Sequence, residues 1–176
     1  QDRFLNKSTL VLSGEGGAES AARAKYQVFE PDRSDNRNGK RVTRHVDRLR
    51  PIKDWKEQEV WDIIKKYNVR VHPAYYMGWG RVSCLFCIFG NANQWKSAEA
   101  ISKSGCKKII DYEKQFGATI KRKESVEDLL KKGETYSAMT PELIKLAKSD
   151  EYTLPIIMKE KWVLPAGAFG DNCGPL

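Results

Sequence analysis

A short β-branched stretch that ends in glycines is the feature that most constrains the fold of this chain. The residues STLVLSG, at positions 8–14, are typical of a buried strand that runs into a loop, and AESAARAKYQVF after them is rich in helix formers. A strand, a glycine turn and a helix in this order are typical of an α/β sheet, where N–H groups at the helix start can face an anion. The GEGG spacing lacks the full pattern of a dinucleotide or Walker loop, so this turn alone identifies no ligand.

Helical patterns dominate the rest of the chain. Residues 55–67 are predicted to form a helix, because Asp54 can cap the first turn and apolar residues recur at helical spacing. Further helices are predicted over 94–103, over 106–116, after Ser125, and after the Thr140–Pro141 pair. The predicted fold class is therefore α/β, with a partial, Rossmann-like parallel sheet and a helical C-terminal region.

The positive charge of the chain is concentrated in one segment. The formal net charge is +8, and residues 32–50 hold seven Lys or Arg against three Asp. Such a segment attracts phosphates, whether on a nucleotide, a nucleic acid or another anionic substrate. The competing interpretation is a solvated basic loop with no ligand.

The stretch RVSCLFCIFG places Cys84 and Cys87 three positions apart among apolar residues. At this spacing two thiols can converge on one metal or close a small disulfide ring, or they can pack as small hydrophobic side chains. A four-ligand metal site needs more donors, of which Cys173 in the glycine-rich tail is the natural third. Cys106 is a weaker candidate and His72 an alternative ligand. The aromatic surroundings favour an iron-sulfur cluster over zinc, which stays the alternative.

The cysteine content and hydropathy also limit where the protein can work. Four cysteines in 176 residues do not resemble a secreted disulfide framework, so we expect a reducing, cytoplasmic setting. No apolar stretch approaches the roughly 20 residues that a membrane helix needs. The chain starts at Gln1 without a signal-peptide pattern, and we expect it to begin inside a longer protein or after a cleavage.

Four stretches in order carry a resemblance to a known family. VLSGEGGAESAARAKY, RPIKDWKEQEVWDIIKKYNVRVHPAY, GWGRVSCLFCIFG and LPAGAFGDNCGP resemble the C-terminal part of phosphoadenosine phosphosulfate (PAPS) reductases, in the adenine nucleotide α-hydrolase or ATP pyrophosphatase superfamily. The phage and bacterial PAPS reductase-like group is the most similar version. The resemblance implies residues 1–80 as the C-terminal part of the nucleotide-binding domain and 81–176 as a cysteine-containing, mainly helical region.

The family motif Gly-x-Arg-x-x-Glu-Ser-x-x-Arg falls on residues 14–23. The resemblance implies nucleotide or anion binding by Gly14, Glu19, Ser20 and Arg23. The charge of the basic segment adds Arg41 and Arg44 as candidates. Gly16 stands where the family has arginine. The Ser-Gly-Gly-x-Asp-Ser phosphate loop of the family occurs nowhere in the sequence. A missing N-terminal half or a partner subunit would have to supply it.

The resemblance offers two roles for the cysteines. Cys84 and Cys87 match the CxxC of reductases that bind a [4Fe-4S] cluster, where further cysteines from an upstream region absent from this sequence complete the site. Cys173 is a candidate further ligand in this chain. Cys173 in DNCGPL also resembles the nucleophile in the C-terminal Glu-Cys-Gly-x-His tail of the reductases, although the acid and histidine are out of register. Both roles stay open.

The functional expectation is an enzyme fragment or one half of a split enzyme. It would use an adenine nucleotide, namely ATP, APS or PAPS, for sulfonucleotide reduction or sulfur transfer. The alternative is a nucleic-acid-binding accessory, or one acting in DNA or RNA sulfur modification, as the basic segment allows. Neither reading involves a membrane, and both are compatible with an oligomer.

Overall fold

The computed structural model describes residues 7–40 and 43–170. Three strands and a series of helices lie in these ranges. In chain order they are β1 Ser8–Leu12, a 3-10 turn Gly17–Glu19, α1 Ala21–Ala24, β2 Phe29–Pro31, β3 His45–Leu49, α2 Glu57–Lys66, α3 Pro73–Tyr76, α4 Ala92–Ile101, α5 Lys103–Phe116, α6 Val126–Lys132 and α7 Pro141–Ala147. They form two compact units, Gln1–Val60 (unit 1) and Trp61–Leu176 (unit 2). The predicted boundary near residue 80 concerns nucleotide binding and stays a prediction.

Unit 1 is built on a small mixed sheet in the order β1-β3-β2. Strands β1 and β3 run parallel, with Ser8 opposite His45, whereas β2 pairs antiparallel with β3. Residues paired in register share a face of the sheet. Leu12, Leu49 and Phe29 therefore form one apolar row, in which Leu12 is 66% and Phe29 57% exposed. The α/β class is confirmed, and the sheet is mixed rather than wholly parallel.

The helix after the glycine loop is shorter than the sequence suggests. The Ser20 hydroxyl accepts the N–H of Arg23 and caps α1, which ends after Ala24. The chain then enters β2, where Phe29 pairs with Leu49. Tertiary pairing of an aromatic residue with β3 outweighs the local helix propensity of this stretch.

Unit 2 is mainly helical, as predicted, and its helices pack around two apolar clusters. One cluster combines Trp95, Cys106, Val126 and Leu129, all at most 2% exposed. Burial of side chains of this size stabilises a fold by about 1.5–3 kcal/mol each. The second cluster contains Met77, Trp79 and Ile101.

Local start signals account for several of the helices. Ser125 caps α6 and Thr140 caps α7, whose first residue is Pro141, so both predicted starts are confirmed. The predicted helix over 55–67 is observed as α2, which begins at Glu57, while the Asp54 carboxylate accepts a hydrogen bond from Lys53 Nζ at 2.7 Å.

Contacts of aromatic rings and of Gly167 hold the segment before residue 170 in place. The ring of Trp61 lies 5.4 Å from that of Tyr75, edge to face, and 6.4 Å from that of Trp162. The N–H of Gly167 donates to Tyr75 O at 2.8 Å. A Cβ on Gly167 would lie only 2.1 Å from Trp79 O, so the backbone here approaches the segment after α3 too closely for any side chain. No helix in the described part of the chain is long and apolar enough to span a bilayer.

Candidate functional site

The glycine loop between β1 and α1 is held by backbone contacts. The N–H of Gly17 donates to Lys53 O at 2.7 Å, and a Cβ on Gly17 would stand 3.0 Å from the same oxygen. The N–H of Gly16 donates to Glu19 Oε1 at 2.8 Å. The loop therefore requires glycine at position 17 for its close approach to the segment after β3.

The predicted anion-binding residues fall into separate groups. Glu19 forms an ion pair with Arg23, and Ser20 caps the helix that carries Arg23, so these three lie together. Gly14 is exposed at the start of the loop. Arg44 pairs with Asn36 through a β-bridge and donates from Nε to Ser34 O at 2.9 Å. Arg41 lies outside the described residues.

A network of arginines and carboxylates that the sequence did not predict stabilises unit 1. Arg50 is buried, and its guanidinium donates to Glu15 Oε2 at 2.6 Å, to Glu30 Oε1 at 2.7 Å and to Gln27 O at 2.9 Å. The guanidinium also lies 4.5 Å from the centre of the Tyr26 ring. Burial opposes the charge of Arg50, but the two carboxylates more than compensate and raise its pKa.

Two more arginines of the basic segment are paired in the same way. Arg48 Nη2 lies 2.6 Å from Asp32 Oδ2, and the Ser34 hydroxyl donates to Asp32 Oδ1 at 2.6 Å. Hydrogen bonds from Ser34, followed by that from Arg48, hold the pKa of Asp32 well below its usual range. Arg37 contacts the carboxylates of two further residues, Asp35 and Asp47, at 2.8 and 2.6 Å. Its hydrogen bond lowers the pKa of Asp35 to about 2.

The pairing changes the interpretation of the basic segment. Arg37, Arg48 and Arg50 are each neutralised by neighbouring carboxylates. The segment is therefore less cationic at its surface than its composition indicates, and the arginines stabilise the sheet of unit 1. The three Asp residues interspersed among seven Lys or Arg over residues 32–50 were the available signal in the sequence.

A cavity of about 430 Å³ lies in unit 2 between α3, α4, α7 and the loop that carries the CxxC pair. Its apolar wall includes Met77, Trp79 and Ile101, which are buried. Its polar wall consists of His72, Arg81, Ser83, Cys84, Ser102 and Lys148. The cavity thus combines a thiol, an imidazole and two cations.

The cysteines are in different environments. Cys84 is exposed at the cavity, and Cys87 is partly buried in the same loop, where Gly90 N–H donates to Cys87 O at 2.8 Å. Cys106 is buried in the helical core, and burial raises the pKa of its thiol. Cys106 is thus a core residue, and Cys173 lies outside the described residues.

The residues present supply only part of a metal site. A cluster or structural zinc takes four ligands, and the CxxC pair provides two. In residues 7–40 and 43–170 no group of three or more His, Cys, Asp or Glu side chains could hold a metal ion. His72 lines the same cavity as Cys84, but the two do not belong to such a group. The described residues alone do not fit a complete cluster.

The fold and the ordered motifs define an α/β protein with a glycine loop after its first strand. The family described as phosphoadenosine phosphosulfate reductase domain matches residues 2–89, half of the chain. The chain belongs to this family, whose members act on a nucleotide substrate. The matched region includes the glycine loop, the arginine network and both cysteines of the CxxC pair.

A phage protein is also similar to the chain. It is the "Uncharacterized 37.8 kDa protein in gpa 5'region" of Escherichia phage 186, which is 27% identical over 116 residues. The similarity covers 66% of this chain but 33% of the phage protein, so the chain spans about a third of that relative. No solved structure matches the chain.

Proposed function

We propose that the chain is the C-terminal part of a PAPS reductase-like enzyme that uses an adenine nucleotide for sulfonucleotide reduction or sulfur transfer. The family match across residues 2–89 carries the proposal. The nucleotide would be ATP, APS or PAPS, and the protein would work in the cytoplasm. The phage relative is about three times as long as the 116 residues over which it is similar to this chain, which supports an enzyme with further sequence outside this chain.

The proposed nucleotide contacts lie in unit 1. Gly14, Glu19, Ser20 and Arg23 form or flank the loop after β1, and Arg41 and Arg44 belong to the basic segment. Arg23 is paired with Glu19, so a phosphate would have to displace that carboxylate to reach the guanidinium. Because the pair is partly exposed, exchange of one anion for another costs little.

The missing phosphate loop is proposed to come from an N-terminal half or a partner subunit. Strand β1 lies at the edge of the described sheet, and its Leu10 and Leu12 side chains are 52% and 66% exposed. An exposed strand edge with apolar side chains is a template for further strands. A second polypeptide that carries the phosphate loop would cover the edge of β1 and its exposed leucine side chains.

Nucleotide binding tests this proposal. Calorimetric titration of ATP, APS and PAPS into a version extended by the upstream sequence should give saturable binding, and Arg23→Gln should weaken it about tenfold. Lys25→Gln, a nearby charge change outside the motif, is the matched control. Absence of binding and turnover with all three nucleotides in the extended protein would exclude the enzymatic proposal.

The proposed cluster needs ligands from beyond the described residues. Cys84 and Cys87 would hold one side of a [4Fe-4S] cluster, or of a zinc ion, and Cys173 is the candidate third ligand in this chain. Cationic residues nearby would offset the repulsion between a thiolate and a sulfonucleotide. Cys173 as the attacking nucleophile is the competing role.

Anaerobic purification with metal analysis separates these roles. Bound iron with a broad absorbance near 400 nm, lost in Cys84→Ser and Cys173→Ser but kept in Cys106→Ala, would support the cluster. Metal content unchanged in Cys173→Ser, together with lost turnover, would assign Cys173 as the nucleophile. If the wild-type protein contained neither iron nor zinc, the proposed metal site would be excluded.

A specific surface favours the nucleic-acid alternative. On α5 the ring of Tyr112 stacks on that of Phe116 at 5.8 Å, and Phe116 is 71% exposed. Lys108 Nζ lies 5.8 Å from the centre of the Tyr112 ring. Exposed aromatic rings beside cations are the usual platform for single-stranded nucleic acid, where each stacked base contributes about 1–3 kcal/mol.

Binding of a fluorescent single-stranded oligonucleotide tests the alternative. Anisotropy should show affinity that falls steeply with salt, and Phe116→Ala should weaken it about tenfold. Tyr152→Ala, an exposed aromatic residue outside α5, is the matched control. Absence of binding at low salt would exclude this function.

A further inference from the structure

The charges that line the cavity of unit 2 are all of one sign. Arg81 and Lys148 contribute to its wall, and the lining includes neither Asp nor Glu. Neither cation forms an ion pair with a carboxylate in residues 7–40 and 43–170. A concave site with unpaired cations attracts anions, because apolar walls focus the field.

His72 adds a hydrogen-bond donor to this wall. Its Nδ1 accepts the N–H of Ala74 at 3.1 Å, where His72 caps α3. The neutral ring therefore carries its proton on Nε2, which is a donor. The hydroxyls of Ser83 and Ser102 can also donate to an anion.

Cys84 is the thiol that lines the same cavity. Its side chain is exposed, whereas the thiol of Cys106 is enclosed by the helical core. A negatively charged substrate would otherwise be repelled by a thiolate, and Arg81 and Lys148 offset that repulsion.

We propose that this cavity binds a sulfur oxyanion that carries a sulfane sulfur, of the thiosulfate class, and presents it to Cys84. The Cys84 thiolate attacks the outer sulfur, the bond from that sulfur to the sulfonate breaks, and sulfite leaves with the electron pair. Cys84 becomes a persulfide, and no external oxidant or reductant is needed. The inference rests on the sulfur-transfer branch of the proposed function, but the step requires no nucleotide.

Alkylation by charged and neutral reagents tests the anion site. Iodoacetate is anionic and iodoacetamide is neutral, and peptide mass spectrometry gives separate rates for Cys84 and Cys87. The ratio of iodoacetate to iodoacetamide rates should be about fivefold higher at Cys84 than at Cys87, which does not line the cavity. Equal ratios at the two thiols would overturn the proposal.

Variants that remove single charges show which cations raise the ratio of iodoacetate to iodoacetamide rates at Cys84. Arg81→Gln and Lys148→Gln should each lower the Cys84 ratio about two- to fivefold. Lys145→Gln on the same helix as Lys148 is the matched control, because Lys145 does not line the cavity. A ratio that falls equally in all three variants would reflect net charge alone and would contradict a defined site.

Reaction with thiosulfate tests the sulfur donor. Incubation should add the mass of one sulfur atom to the Cys84 peptide and release one equivalent of sulfite, and both should be lost in Cys84→Ser. Sulfate and phosphate should protect Cys84 from iodoacetate without adding sulfur. Protection by all three anions with no persulfide would overturn the sulfur-donor assignment. Because no nucleotide is present, these results are independent of the nucleotide-binding test.

Discussion

The two units of the protein use their positive charges in opposite ways. In unit 1 Arg37, Arg48 and Arg50 are paired with carboxylates at 2.6–2.8 Å. In unit 2 Arg81 and Lys148 line a cavity that has no carboxylate in its wall. Arginines held by carboxylates are committed to the fold, because removal of one partner leaves an uncompensated charge, whereas unpaired cations in a concave site are available to a ligand. Composition draws attention to the basic segment and gives no sign of the two cations that line the cavity.

Removal of charge from Asp32 should give the largest change in stability. Asp32 is buried and accepts hydrogen bonds from Ser34 and Arg48, so Asp32→Asn should lower the free energy of unfolding by about 2 kcal/mol. Urea unfolding followed by circular dichroism measures the loss. Asp150→Asn, at an exposed position of unit 2, is the control and should change stability by less than about 0.5 kcal/mol. Equal losses of stability in the two variants would contradict the structural role assigned to the ion pairs of unit 1.

Acid should weaken unit 1 through the same carboxylates. The pKa values of Asp32, Asp35 and Glu15 are lowered in the folded protein, that of Asp35 to about 2. A carboxylate with a lowered pKa contributes stability above its unfolded pKa near 4, and this contribution is lost as the pH falls toward the folded value.

Unfolding measured between pH 6 and pH 2 should therefore show a decline that starts near pH 4. The decline should be shallower in Asp32→Asn, because one of the three linked protons is removed. An unchanged slope in that variant would show that the arginine network is not the source of the pH dependence.

The smallest effect on stability is expected at the cavity. Arg81→Gln and Lys148→Gln should change the free energy of unfolding by less than about 0.5 kcal/mol, because neither cation is paired with a described carboxylate. The same two variants should alter the reactivity of Cys84 toward iodoacetate. A large loss of stability in either variant would assign that cation a structural role and remove the difference between the units.

Local signals explain which parts of the fold the sequence could predict. Ser125 and Thr140 are caps whose hydrogen bonds reach only three residues along the chain, so both helix starts could be predicted. Strand β2 was missed because Phe29 pairs with Leu49, twenty residues away, and that contact depends on tertiary structure. Likewise, burial of Trp61 in α2 depends on Tyr75 and Trp162.

The site residues show the same limit. The CxxC spacing identified Cys84 and Cys87 as candidates, and the structure places Cys84 at a cavity. Arg81 and Lys148 were missed, because only the packing of α7 near α3 brings Lys148 to the same wall. The ion pairs of Arg37, Arg48 and Arg50 depend on strand register, which composition does not contain. The nucleotide contacts at Gly14, Glu19, Ser20, Arg23, Arg41 and Arg44 stay predictions.

The close approach of Gly167 to Trp79 means that a substitution outside the cavity lining can alter the shape of the cavity. Trp79 contributes to the apolar wall, and its carbonyl leaves no room for even a methyl group at position 167. Any larger residue at position 167 requires a shift of the backbone there or at Trp79, and a shift at Trp79 changes the wall of the cavity. Substitution of Gly167 is therefore a way to disrupt the cavity while every side chain that lines it is kept.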